Sequence, residues 1–107
     1  MIMPVKIMIA DDHSMVREGL KSLLELDGDI QVIEEAVDGE DCLEKLKTCK
    51  PDVLLLDINM PKKNGLEVLQ CINKSNLKVK VLVLTVHNEV EYLIKAVDIG
   101  VDGYILK

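Results

Sequence analysis

Phenylalanine and tryptophan are absent from the chain and tyrosine occurs only twice. Stacking of nucleic acid bases on aromatic side chains is therefore not its trade, and its core has to be built from Leu, Ile, Val and Met. Basic residues are outnumbered: 13 Lys and Arg face 19 Asp and Glu, for a formal net charge of -6. The clustered positive charge needed to hold a phosphate backbone is missing, so direct nucleic acid binding by this segment is excluded. The acidic excess suits cations instead. Cysteine is scarce and odd in number: Cys42, Cys49 and Cys71 form no CxxC pair and have no His at metal-ligand spacing. That argues against a thiolate zinc site and for reduced thiols. Cys42 and Cys49 fall on one face of a helical pattern and read as small apolar residues rather than as a redox pair. No stretch approaches the roughly 20 apolar residues of a membrane span. Met1 to Pro4 has no charged start followed by a long apolar run, so a cytoplasmic protein without membrane contact is expected.

What is present is a strict alternation. VKIMIA (Val5 to Ala10), VLLL (Val53 to Leu56) and VLVL (Val81 to Leu84) are short apolar runs of the kind that form parallel strands buried on both faces. Ile30 to Val37 is more mixed and Gly103 to Leu106 is short, which suits edge strands. Helical patterns lie between them. Val16, Leu20, Leu23 and Leu24 follow a cap at Ser14; Leu43 and Leu46 follow Asp38-Gly39; Leu69 and Ile72 follow Asn64-Gly65; Ile94 and Val97 follow a cap at Asn88. The order βαβαβαβαβ with right-handed crossovers gives one α/β domain over residues 1–107. It predicts a flavodoxin-like, doubly wound, parallel five-stranded sheet of order 2-1-3-4-5, whose ligand site lies beyond the carboxyl ends of the first and third strands.

Those strand ends carry chemistry. The first runs into Asp11-Asp12, the third into Asp57, the fourth into Thr85 and the fifth into Lys107. Carboxylates brought together repel one another unless a cation sits between them, and an oxygen donor set without Cys or paired His favours Mg²⁺ over Zn²⁺. A carboxylate, a cation, a hydroxyl and an ammonium on one rim meet the needs of phosphoryl transfer, with Asp57 as the nucleophile.

The run Asp57-Ile58-Asn59-Met60-Pro61-Lys62-Lys63-Asn64-Gly65, together with Asp11, Asp12, Thr85, Tyr104 and Lys107, resembles the receiver domains of two-component response regulators. The resemblance extends from Val5 to Lys107. It implies that Asp57 is phosphorylated by a sensor histidine kinase, and that Asp12 and Asp57 ligate Mg²⁺ with the main-chain carbonyl of Asn59, while Asp11 acts through water. It further implies that Lys107 and Thr85 hold the phosphoryl oxygens and that Tyr104 changes rotamer as Thr85 shifts, remodelling the face of the fourth helix and fifth strand. On this view the domain is a regulatory phosphoacceptor with at most weak self-phosphorylation and self-dephosphorylation. His13, the run Val16-Arg17-Glu18-Gly19-Leu20, His87, and Ala96 with Gly100 ahead of Gly103-Tyr104 are similar to the subgroup with a LuxR-type helix-turn-helix output (NarL/FixJ-like). A full-length relative would be a transcription regulator that reaches DNA through a C-terminal output domain absent from this chain. His13 and His87 are read as rim hydrogen-bonding residues.

Family members place a fifth helix after the strand that ends at Lys107. Without it, strands three to five are expected to be bare on the side of the first helix, an aliphatic surface that would lower stability or be covered by a homodimer. Three other functions stand beside this one. A stand-alone receiver in a phosphorelay would share the same site. A Mg²⁺-dependent phosphatase of the haloacid-dehalogenase type would need a second Asp two residues after its nucleophile, where Asn59 stands; a flavin module would need a phosphate cradle where Asp11-Asp12 lie.

Overall fold

A computed structural model of the chain describes residues 4–26, 28–58, 60, 64–75, 77–85, 94–95 and 100–106, with the backbone course alone for 85 and 104–106. The elements run β1 (Val5–Ala10), α1 (Ser14–Leu24), β2 (Ile30–Ala36), α2 (Gly39–Cys49), β3 (Val53–Asp57), α3 (Gly65–Ser75), β4 (Lys80–Thr85) and β5 (Gly103–Leu106). They form one five-stranded sheet of order β2-β1-β3-β4-β5, and every neighbouring pair is parallel. This is the flavodoxin-like arrangement predicted from the alternation, with β2 and β5 at the edges.

The apolar runs explain the order. On β1, Ile7 to Ala10 are all buried, as are Leu54 to Leu56 on β3, which fits strands covered on both faces. Their side chains divide between two clusters. Met8, Ala10, Leu54, Leu56, Val81 and Val83 join Cys42 and Leu46 of α2 and Val68, Leu69 and Ile72 of α3. On the opposite face Ile7, Ile9, Val32, Leu55 and Leu84 form a smaller cluster, against which Leu20 and Leu24 of α1 pack.

On the α1 side of β3 and β4, Leu55 and Leu84 are 2% and 1% exposed and belong to the cluster against which Leu20 and Leu24 pack; Val53 and Leu82 are half-buried, and the expected bare surface on the fifth strand falls on side chains outside the described residues. Of the expected fourth helix, Ile94 and Lys95 are helical, and the rest lies outside the described residues.

Local signals set the helix starts. Asn64 and Glu67 form a reciprocal cap: the Glu67 amide donates to Asn64 Oδ1 (3.0 Å) and the Asn64 amide to Glu67 Oε1 (3.3 Å). Asp38 caps α2 by accepting from the Asp41 amide at 2.8 Å. For α1 the cap position is His13, one residue before the expected Ser14, and its side chain makes no capping bond. β2 carries an irregularity: its pairing with β1 shifts between Ile7 and Met8, so that Ile7 faces Val32 but Met8 faces Glu34.

Candidate acidic site at the strand ends

Asp11 follows β1 directly and Asp57 is the last residue of β3. Because Ala10 pairs with Leu56, the two carboxylates emerge side by side from adjacent strands. Asp11 is wholly buried and Asp57 is 2% exposed, whereas Asp12 and His13 lie exposed at the rim. One potential ligand atom from each of Asp11, Asp12, His13 and Asp57 lies within 4.8 Å of all the others.

Hydrogen bonds lock the Asp11 corner. Its amide donates to the Ala36 carbonyl at 3.0 Å, tying the end of β1 to β2. Asp11 Oδ1 accepts from the His13 amide at 2.8 Å and lies 3.1 Å from His13 Nδ1, and the same ring nitrogen is 3.1 Å from Asp12 Oδ1. The main-chain oxygen of Asp11 accepts from Arg17 Nη1 at 2.6 Å, while Arg17 Nε donates to Glu35 Oε1 at 3.1 Å. His13 thus sits at the rim as expected. Arg17 was singled out in the sequence only as part of a subgroup pattern, and its contact with the site was not foreseen.

The loop after β3 is anchored from below. Ile58 and Met60 are buried, and the Gly65 amide donates to the Ile58 carbonyl at 2.7 Å. A Cβ at position 65 would lie 2.6 Å from both the Asp57 carbonyl oxygen and Ile58 Cα. Those are backbone atoms that cannot swing aside, so glycine is what lets α3 start flush against the phosphoacceptor candidate.

The other expected site residues are placed less completely. β3 and β4 pair Asp57 with Leu84, which puts Thr85 one step further along the same rim. β5 pairs Tyr104 with Val83 and Leu106 with Thr85. Asn59, Lys107 and His87 lie outside the described residues.

The donors are all oxygens apart from one imidazole, and the two innermost are buried carboxylates. Such a set fits a hard divalent cation, and the pocket of Asp11, Asp12 and Asp57 can bind Mg²⁺. Comparison with known proteins agrees. The response regulator receiver domain family matches residues 7–107. The chain belongs to that family. The receiver is 41% identical over 104 residues to the nitrate/nitrite response regulator protein NarL of Escherichia coli K12, an alignment spanning 97% of this chain and 48% of that protein. It is 44% identical to the transcriptional regulatory protein LnrK of Bacillus subtilis, spanning 96% of this chain and 47% of the relative. Among solved structures, a DNA-binding response regulator of the LuxR family from Staphylococcus aureus superposes with a TM-score of 0.89 at 36% identity, covering 95% of this chain and 85% of that one. The receiver therefore spans about half the length of the curated relatives it matches, and these matches agree with the LuxR-type subgroup suggested by its sequence. Among the described residues no helix is long and apolar enough to cross a membrane.

Proposed function

We propose that this receiver is a phosphorylation switch in which Asp57 takes a phosphoryl group from a sensor histidine kinase. The observation that carries the reading is the placement of Asp57: a buried carboxylate at the end of the central strand, with Asp11 and Asp12 within ligand distance. Oxygen donors gathered this closely suit a hard divalent cation, and phosphoryl transfer is the chemistry that uses a cation beside a carboxylate nucleophile. Asp12 and Asp57 would hold Mg²⁺ together with the main-chain carbonyl of Asn59, and Asp11 would act through water. When bound, Mg²⁺ offsets the negative charge of carboxylate and phosphoryl oxygens as they approach. An oxygen of Asp57 forms the new bond to phosphorus while the donor's bond breaks and its electron pair leaves with the donor.

Thr85 and Lys107 then hold the phosphoryl oxygens, and Tyr104 follows Thr85, so that a local charge event is read out on the surface of β5 and the segment before it. Relatives named as a transcriptional regulatory protein and as a DNA-binding response regulator of the LuxR family support reading this receiver as the switch of a transcription regulator. The test is intact mass after incubation with acetyl phosphate and Mg²⁺. A single phosphoryl adduct that disappears in EDTA and in Asp57→Asn is expected; an adduct that survives Asp57→Asn would move the acceptor elsewhere.

A further inference from the structure

Arg17 meets the Asp11 corner at its backbone, whereas His13 meets it at the side chains. The Arg17 side chain is 14% exposed, unusually low for an arginine on a helix that contributes no buried residue of its own. The guanidinium is engaged on two sides. Nη1 donates to the main-chain oxygen of Asp11 at 2.6 Å, and Nε donates to Glu35 Oε1 at 3.1 Å. The Asp11 oxygen belongs to the peptide joining Asp11 to Asp12, so the arginine fixes the plane of the peptide from which the exposed Asp12 carboxylate springs.

The opposite end of Asp11 is fixed as well, through its amide on Ala36. Glu35 lies in the same stretch of β2 and pairs with Ile9, which keeps the guanidinium from rotating away. Carboxylates that repel one another need such a frame, because an unsupported loop would relax by swinging Asp12 toward solvent, and a cation would then have to recover that reorganisation on binding.

We propose that Arg17, held by Glu35, is a positioning residue for the metal pocket: it presets the Asp11-Asp12 peptide so that the Asp12 carboxylate stands ready for a divalent cation. This rests on the reading of the pocket as a Mg²⁺ site. Arg17 does not touch the ion or the reacting atoms; it acts through the backbone of Asp11.

The experiment is a Mg²⁺ titration of the whole chain, followed by amide NMR shifts, with the melting temperature recorded separately in EDTA. Wild type is compared with Arg17→Met, which keeps the apolar stem and removes both bonds, Arg17→Lys, which keeps the charge but has no planar fork, and Glu35→Gln, which keeps an acceptor but removes its charge. Arg17→Met is expected to weaken Mg²⁺ roughly tenfold, in the lower part of the range seen when supports of metal ligands are removed. Arg17→Lys and Glu35→Gln should fall between it and wild type. A merely structural arginine would lower the melting temperature in EDTA and leave the Mg²⁺ affinity alone. Affinity within twofold of wild type in Arg17→Met overturns the proposal. Should Arg17→Met fail to fold, unchanged affinity in both Arg17→Lys and Glu35→Gln overturns it equally. A wild-type chain that shows no Mg²⁺ response overturns the metal reading itself, a result distinct from normal wild-type binding that the variants leave untouched.

Discussion

The two faces of the sheet solve the same burial problem with unequal means. On the side of α2 and α3, fourteen buried residues among those described form one continuous cluster that includes positions from both helices. On the side of α1, five buried residues among those described form the cluster, each from a strand, and α1 itself leans on them with leucines that are only partly buried. The difference shows in how each helix is held. α2 and α3 have side-chain caps and apolar contacts, whereas α1 has no side-chain cap at its start and meets the sheet through Leu20 and Leu24, the Arg17 bonds and the Glu25 carboxylate, which accepts from the Val32 amide. One face is fastened by volume, the other by a few directed interactions, and the acidic site sits where the lightly fastened face begins.

Truncation tests should separate the faces most sharply. Leu69→Ala, in a wholly buried position of the larger cluster, should cost about 2–5 kcal/mol in urea unfolding. Leu20→Ala, on the α1 face, should cost about 1 kcal/mol, because a half-buried side chain gives up less transfer energy and leaves a site open to water. Equal losses would mean that α1 is as firmly packed as its counterparts. Removing the α3 cap with Asn64→Ala should cost about 1 kcal/mol, read by the same unfolding assay.

The smallest effect at neutral pH, and one confined to the larger face, concerns Cys42. Burial, reinforced by the charges of Asp41 and Asp38, pushes its thiol from 9.0 up to about 12. The unfolded chain releases this proton first, so the stability it supports is intact below pH 9 and is lost as pH rises from about 9 toward 12. Cys42→Ala should flatten that alkaline slope while lowering stability at pH 7. At neutral pH Cys42 should resist iodoacetamide until the chain unfolds, a difference from Cys49 and Cys71 that mass mapping can check.

Much of the architecture was legible because each signal was periodic or terminal. Three apolar runs marked the inner strands, mixed Ile30 to Val37 and short Gly103 to Leu106 marked the edges, and the strand ends delivered Asp11, Asp12 and Asp57 to one place, as the geometry bears out. Gly65 was legible only as a letter in a motif; its reason, a 2.6 Å approach to the backbone of Asp57 and Ile58, is a property of three-dimensional closeness that spacing does not encode. Arg17 was hidden for a similar cause. Its partners are a carbonyl six residues earlier and a glutamate 18 residues later, and an arginine on an amphipathic helix ordinarily faces solvent.

The irregularity in β2 reaches further than a local kink. Regular pairing would have put Glu34 opposite Ile9 and Glu35 opposite Ala10; the shift at Ile7/Met8 instead gives Met8 to Glu34 and Ile9 to Glu35, which exchanges the faces these two acids address. Glu35 can then give its carboxylate to Arg17 of α1 and its carbonyl to Lys45 of α2 at 2.6 Å. Lys45, for its part, would be lowered by burial, yet its hydrogen bond to Asp41 and the charges of Asp41 and Glu34 leave it raised. Helices on opposite sides of the sheet are thus buttoned to the same residue of the edge strand, one through its side chain and the other through its backbone.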